Sequence, residues 1–271
     1  MAEDNQHRKR KQGKLIAICS AKGGIGRTLV SVNLAVALSK KNLKVCLVDG
    51  DLQFGDVSLA LDLQSSFTIQ DVAEDMEGMD DHALVNYLSQ HTSGVHVLPA
   101  PERPEYAELV TSEILKRVLK LLLKQHDYVV VDTAIGLQEQ TIDVLELADE
   151  VIMLTNLEMT TLKNSKLMIE TLEQLELREK VQLIINQYNI DSLINIDDAT
   201  KMLGERRAIS IANNPKIAIH SINVGIPFVI GQGKSDLSKA IFKMAESLIS
   251  TKEFALEKRK KRSILKNVFG H

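Results

Sequence analysis

From residue 15 to residue 250, short apolar runs alternate with longer stretches of helical spacing. The runs read as strands are Leu15–Cys19, Lys44–Val48, Val95–Leu98, Tyr128–Val131, Val151–Leu154, Val181–Ile185 and a weaker one at Arg207–Ile211. Runs such as YVVV and VQLII are apolar without alternation, the form of parallel strands covered on both faces. Helical patterns occupy 28–40, 81–90, 105–125, 138–147, 158–176, 192–203, 213–222 and 234–250. In the last of these, Leu237, Ile241, Met244, Ala245 and Leu248 form one stripe. The alternation predicts an α/β fold, a three-layer sandwich with a mainly parallel central sheet. No linker or sustained repeat divides it, so one domain is expected over 15–250, flanked by segments 1–14 and 251–271.

Composition narrows the classes. The 271 residues are 44% hydrophobic and 25% charged, enough to bury a core and too apolar for wholesale disorder. Trp is absent and aromatics reach only 4%, which argues against carbohydrate clefts and single-strand stacking platforms. Cys19 and Cys46 sit inside apolar runs, as buried thiols do, and imply no disulfide framework or zinc site. The first residues carry no hydrophobic segment and no run reaches transmembrane length, so a soluble intracellular chain is expected. The net charge of −3 is unevenly spread: +3 over 1–14, +5 over 251–271 and −11 between them. Basic ends on an acidic body suit an anionic membrane or nucleic acid, or serve as solubilising tails.

The candidate chemistry begins where the first strand runs into Ser20-Ala21-Lys22-Gly23-Gly24-Ile25-Gly26-Arg27-Thr28 and then a helix. Strand, glycine-rich turn and helix form a phosphate cradle. Glycines let backbone N–H groups converge, and the helix N-terminus adds a favourable dipole. Thr28 is placed to offer a hydroxyl to Mg²⁺. The usual P-loop pattern is broken twice, by Ala21 at the first glycine and by Arg27 at the lysine. Asp49 and Asp51 follow the second strand, and Asp132 ends the strand Val129–Val131 in the form of a Walker B acid. Such acids lie at the sheet's C-terminal edge, where α/β ligands gather. Each alone serves equally as a helix cap; together with the loop they define a P-loop NTPase type of site.

On these residues the chain resembles the MinD/ParA class of deviant-Walker ATPases, whose fingerprint is K-G-G-x-G-K-[ST]. The resemblance implies ATP and Mg²⁺ as ligands, held by Gly23, Gly24, Ile25, Gly26, Arg27 and Thr28. It implies that Lys22 reaches across a nucleotide-sandwiched homodimer and that Asp51 positions the attacking water, making these two the catalytic candidates. Thr28, Asp49 and Asp132 form the metal neighbourhood. Asn186 matches the adenine-contacting Asn, and Asn223 and Pro227 belong to a late A-x-N-x-G-x-P-like element, Ser221–Pro227, beside the base. Within the class the segments Asp51–Val57 and Leu98–Glu105 look like the CpaE/TadZ branch, which localises pilus or secretion machinery. Flagellar-number, division-site and DNA-partition ATPases are neighbours. Arg27 keeps the charge of the usual lysine but substitutes a planar fork for a compact ammonium, which implies nucleotide binding with slow hydrolysis or none.

At the other end, Ile264, Leu265, Val268 and Phe269 share one helical arc behind Lys258–Arg262 and resemble MinD's membrane-targeting tail. A short apolar face with basic neighbours suits a lipid interface. One copy binds weakly, and dimerisation on ATP would place two copies together and raise avidity. The same apolar residues could instead dock on the body's own surface. Nucleic-acid binding lacks a recognition helix or a defined basic surface. The combined expectation is a cytoplasmic ATPase, peripheral on the inner face of the cell membrane, that positions a pilus, secretion or other polar assembly. The alternative from another class is a non-hydrolysing positional scaffold.

Overall fold

The computed structural model describes residues 12–205 and 207–250. The chain opens with β1 (Lys14–Ser20), α1 (Arg27–Ser39) and β2 (Val45–Gly50), followed by the short helices α2 (Val57–Ala60), α3 (Ile69–Glu74) and α4 (Asp81–Leu84). Next come β3 (Ser89–Gln90), β4 (His96–Leu98), α5 (Ser112–Gln125), β5 (Tyr128–Thr133), α6 (Glu139–Leu147), β6 (Glu150–Thr155), α7 (Met159–Gln174) and β7 (Val181–Asn186). The described part closes with α8 (Ile196–Met202), β8 (Ile209–Ile211), α9 (Pro215–Val224), α10 (Phe228–Gly231) and a last helix, α11, over 236–250.

The eight strands form one sheet in the order β3-β4-β2-β5-β1-β6-β7-β8. Every neighbouring pair is parallel except β3 with β4. Side chains alternate between two cores, as pleating requires. Leu15, Ala17 and Cys19 of β1 face one core with α3, α5, α6 and α7. Ile16 and Ile18 face the other with α1, α10 and α11, and the whole stripe from Leu237 to Leu248 is buried there. Three layers therefore enclose a parallel sheet, as the apolar runs require. Both cysteines are buried and unpaired, and burial pushes the Cys19 thiol up to about 12. The chain extends the sheet to one side of β1 through β2 and β5, and to the other through β6, β7 and β8. The C-terminal end of β1 is thus a topological switch point, the position at which such sheets bind ligands.

Three helical expectations are corrected. The pattern at 81–90 is α4 with a 3₁₀ turn at Val85–Tyr87 and then a strand, because Ser89 and Gln90 pair with Val97 and His96 around a tight turn. The pattern at 105–125 divides into a 3₁₀ segment, Pro104–Leu109, and α5. Thr111 separates them, since its side chain caps α5 by accepting from Ile114 N. The pattern at 192–203 holds a helix only from Ile196, where Asn195 is the N-cap. Helices α2, α3 and α10, four to six residues each, are too short to give a periodic signal. Among the described residues no helix is long and apolar enough to cross a membrane.

Candidate functional site

The loop between β1 and α1 is held by strand-end chemistry. Gly26 is the N-cap of α1 at φ 87°, and no side chain caps this helix. Its first-turn N–H groups are therefore left to an external acceptor. A Cβ on Gly26 would lie 2.8 Å from Asn186 Nδ2, so both conformation and space require glycine. Asn186, at the end of β7, donates from Nδ2 to the Ile25 carbonyl at 2.7 Å and accepts from Gln187 N at 3.0 Å. It fastens the loop to the sheet. Gln187 takes a left-handed conformation, φ 57°, to leave the strand at this point.

The strand register places Asp49 of β2 directly beside Asp132 of β5. Both are buried, and burial pushes both carboxyls upward; for Asp49 the adjacent Asp132 charge adds to the effect. Their surroundings differ. Asp49 accepts from Asp51 N at 3.2 Å and from Val57 N at 3.0 Å, so its carboxylate folds the loop 51–57 back on the strand. Asp132 Oδ1 lies 3.1 Å from Arg27 Nε and 2.9 Å from Ser31 Oγ, while Oδ2 is buried without a hydrogen-bonding partner. The guanidinium of Arg27, with the Thr28 and Ser31 hydroxyls, opposes the upward shift at Asp132.

Arg27 itself is 8% exposed and turned toward the acids. Its Nη2 lies 2.9 Å from Asp51 Oδ2 and its Nη1 lies 3.4 Å from Ser20 Oγ, so all three guanidinium nitrogens find partners within the site. Lys22 is more open. Its ammonium lies 2.7 Å from Glu158 Oε2 and 3.2 Å from Thr160 Oγ1, and holds the Glu158 carboxyl below its ordinary range.

Lys22, Arg27 and Asp51 from this set line one end of a cleft of about 440 Å³. Lys22, Gly23, Gly24, Gly26, Arg27, Thr28 and Asp51 form a charged, glycine-rich end. Asn186 and Gln187 stand between it and a second end of Ala212, Asn213, Asn214, Ala218, Ile219, Ile222 and Leu237, apolar with amide edges. A nucleotide has the same polarity along its length, phosphates at one end and a flat base at the other.

Of the residues singled out in the sequence, the cleft collects Lys22, Gly23, Gly24, Gly26, Arg27, Thr28, Asp51 and Asn186. Ile25 is buried behind the loop, and Asp49 and Asp132 lie beneath it. Asn223 and Pro227 do not line the cleft: Asn223 is exposed near the end of α9 and Pro227 is the buried N-cap of α10. Their element contributes Ile222 instead. Gly225 ends α9 at φ 67°, where a Cβ would lie 2.4 Å from Asp62 Cβ, so this stretch serves to dock α9 on the loop after α2. The wall that sequence reasoning missed, Ala212–Asn214, had one available signal. Asn213-Asn214-Pro215 after the weak strand is a cap and helix start at the sheet's C-terminal edge; Asn214 accepts from Ile217 N and Pro215 is at N1. Ile264, Leu265, Val268 and Phe269 lie outside the described residues, as does 1–11 of the basic N-terminus.

The donor set fits a hard divalent cation. Asp132 Oδ2 is a buried carboxylate oxygen without a hydrogen-bonding partner, the Thr28 hydroxyl acts on the same carboxyl, and Mg²⁺ takes one or two carboxylates and completes its shell with phosphates and water. Among the described residues no group of three or more His, Cys, Asp or Glu could hold a metal unaided.

A family model described as "AAA domain" matches residues 13–185, which includes the loop and all three acids. The chain belongs to the MinD/ParA type of P-loop ATPase. The septum site-determining protein MinD of Thermotoga maritima is 27% identical over 244 residues, 87% of this chain and 88% of its own length. MinD of Pyrococcus horikoshii, solved with Mg-ADP, is 26% identical with a TM-score of 0.75, covering 87% of this chain and 96% of that one. A ParA family ATPase of Chlorobium tepidum superimposes with a TM-score of 0.81 at 23% identity over 86% of this chain and 98% of that one, a likeness of fold.

Proposed function

We propose that this chain binds Mg-ATP in the cleft, dimerises on it, and cycles on and off an anionic membrane surface to position a larger assembly. The observation that carries the reading is the convergence, at a switch point, of an uncapped helix N-terminus, a glycine-rich loop and two strand-end acids. Phosphates seat against the N–H groups of 23–28. Thr28 and Asp132 are the oxygen donors for the metal, which supplies charge neutralisation at the phosphates when bound. Asp49 supports them by holding the loop that carries Asp51. Asp51 is placed to orient a water, and Lys22 leaves Glu158 to reach the partner copy's phosphates. The 15–250 body is the nucleotide-binding domain, 1–14 a basic tail, and 251–271 the membrane-targeting segment, with Ile264, Leu265, Val268 and Phe269 as its apolar face.

The assembly we assign is pilus or secretion machinery, on the likeness of Asp51–Val57 and Leu98–Glu105 to the CpaE/TadZ branch. Division-site placement is the neighbouring possibility, since septum-site proteins stand among the relatives. One observation favours a second reading, a positional scaffold with little hydrolysis: Arg27 holds the water-positioning acid rather than facing the loop. Phosphate release measured with and without anionic liposomes separates the two. Turnover that rises with liposomes supports the cycling ATPase. Retained ATP binding with no release under either condition sinks it and leaves the scaffold.

A further inference from the structure

We propose that Arg27 competes with the divalent cation for the Asp132 carboxylate and with water for Asp51, so that phosphate recruitment and cation uptake are coupled through this one side chain. The inference rests on the nucleotide reading above and concerns the order of events within that site. The guanidinium spans both acids at once, Nε at 3.1 Å from Asp132 and Nη2 at 2.9 Å from Asp51. A planar fork does this from two separate nitrogens in a fixed geometry; a lysine ammonium at the same position would have to meet both acids from a single nitrogen. The three side chains are largely shielded from water, at 9% exposure for Arg27, 1% for Asp132 and 18% for Asp51, so the ion pairs are poorly screened.

A cation approaching the free Oδ2 of Asp132 would meet a guanidinium already paired with Oδ1 of the same carboxylate and with Asp51, so two positive groups would share these acids. Ser31 Oγ, 2.9 Å from Asp132 Oδ1 and 3.0 Å from the Arg27 carbonyl, braces acid and arginine together. The arrangement yields only to a ligand that offers the guanidinium equivalent anionic oxygens. Phosphate does so, because arginine pairs with phosphate in the same forked geometry as with carboxylate. Arg27 is the first residue of α1, so a phosphate seated on the loop lies within its reach. As the side chain moves from carboxylates to phosphate, Asp132 and Asp51 become free for the cation and for water. The arginine then acts as an interlock, since the acids are exposed only when phosphate is present.

The test uses Mn²⁺ as probe, followed by electron paramagnetic resonance on the full chain without nucleotide. Wild type is expected to bind Mn²⁺ weakly, and Arg27→Gln at least about tenfold more tightly, because the pair that occupied the acids is gone. Adding Asp132→Asn to Arg27→Gln should remove the gain. Arg27→Lys, which keeps the charge, should fall between the two and keeps the comparison readable if the glutamine variant does not fold. Equal Mn²⁺ affinity in wild type and either arginine variant overturns the interlock, as does a gain that survives Asp132→Asn. ATP binding by wild type in Mg²⁺ and in EDTA is measured alongside. Its failure in both removes the nucleotide reading, whereas the Mn²⁺ comparison judges the interlock alone.

Discussion

Asp49 and Asp132 are the same residue at the same height on adjacent strands, yet their neighbours give them different work. Asp49 spends both oxygens on backbone N–H groups, whereas Asp132 keeps one free. Asp49→Ala would strand the buried N–H of Val57 and loosen that of Asp51, a cost of about 1–3 kcal/mol. Chemical denaturation should show that loss, with a smaller one for Asp49→Asn, whose amide oxygen still accepts. An alanine variant as stable as wild type would mean that the loop 51–57 is held by something else. The sequence placed both acids correctly at the ends of apolar strands. It could not divide their roles, because that depends on which backbone groups fold back onto each carboxylate. The same holds for Arg27. Its charge at the phosphate loop was legible, but its direction is set by two acids 24 and 105 residues away.

Periodicity is a property of elements, and elements long enough to show it were read well. The buried stripe of α11 and the uninterrupted apolar run of β5 came through intact. Elements too short for a period, or assembled from two pieces, did not. Two elements also make checkable contacts. The turn between α9 and α10 depends on Gly225, and Gly225→Ala combines a left-handed backbone with a Cβ 2.4 Å from Asp62. A loss of about 1–3 kcal/mol is expected, with the wall carried by Ile219 and Ile222 disturbed. A stability unchanged in urea titration would contradict that packing.

The second contact joins the start of β4 to the end of α5, where His96 Nδ1 meets His126 Nε2 at 2.9 Å. His126 Nδ1 faces the Leu122 carbonyl at 3.0 Å, an acceptor only, so the neutral ring donates there and accepts from His96. Burial pushes His126 down to about 4. The unfolded chain takes up that proton near 6.5. The contribution is therefore complete above roughly 6.5 and is lost as pH falls toward 4, on the order of 3 kcal/mol over the window. His126→Gln should flatten the fall in urea midpoint between these values. A variant that follows wild type in parallel would show that another group carries the acid sensitivity.

At the scale of the molecule, an acidic body carries basic ends, and the ligand end of its sheet is the only place where glycine loop, acids and cleft coincide among the described residues. The membrane proposal belongs to this scale, because it requires a body that signals and a tail that responds. Deleting residues 259–271 should abolish co-sedimentation with anionic liposomes and leave nucleotide binding unchanged. Sedimentation that persists would move the attachment to the body. All of this depends on the cleft holding a nucleotide by its phosphates. The direct measurement is equilibrium titration of the full chain with Mg-ATP, beside Gly26→Val, whose side chain would collide with Asn186 and strain the loop. Saturable binding by wild type, lost in a Gly26→Val chain that remains folded by circular dichroism, is the predicted result. No binding by wild type at millimolar ATP, or equal binding by both chains, would contradict it.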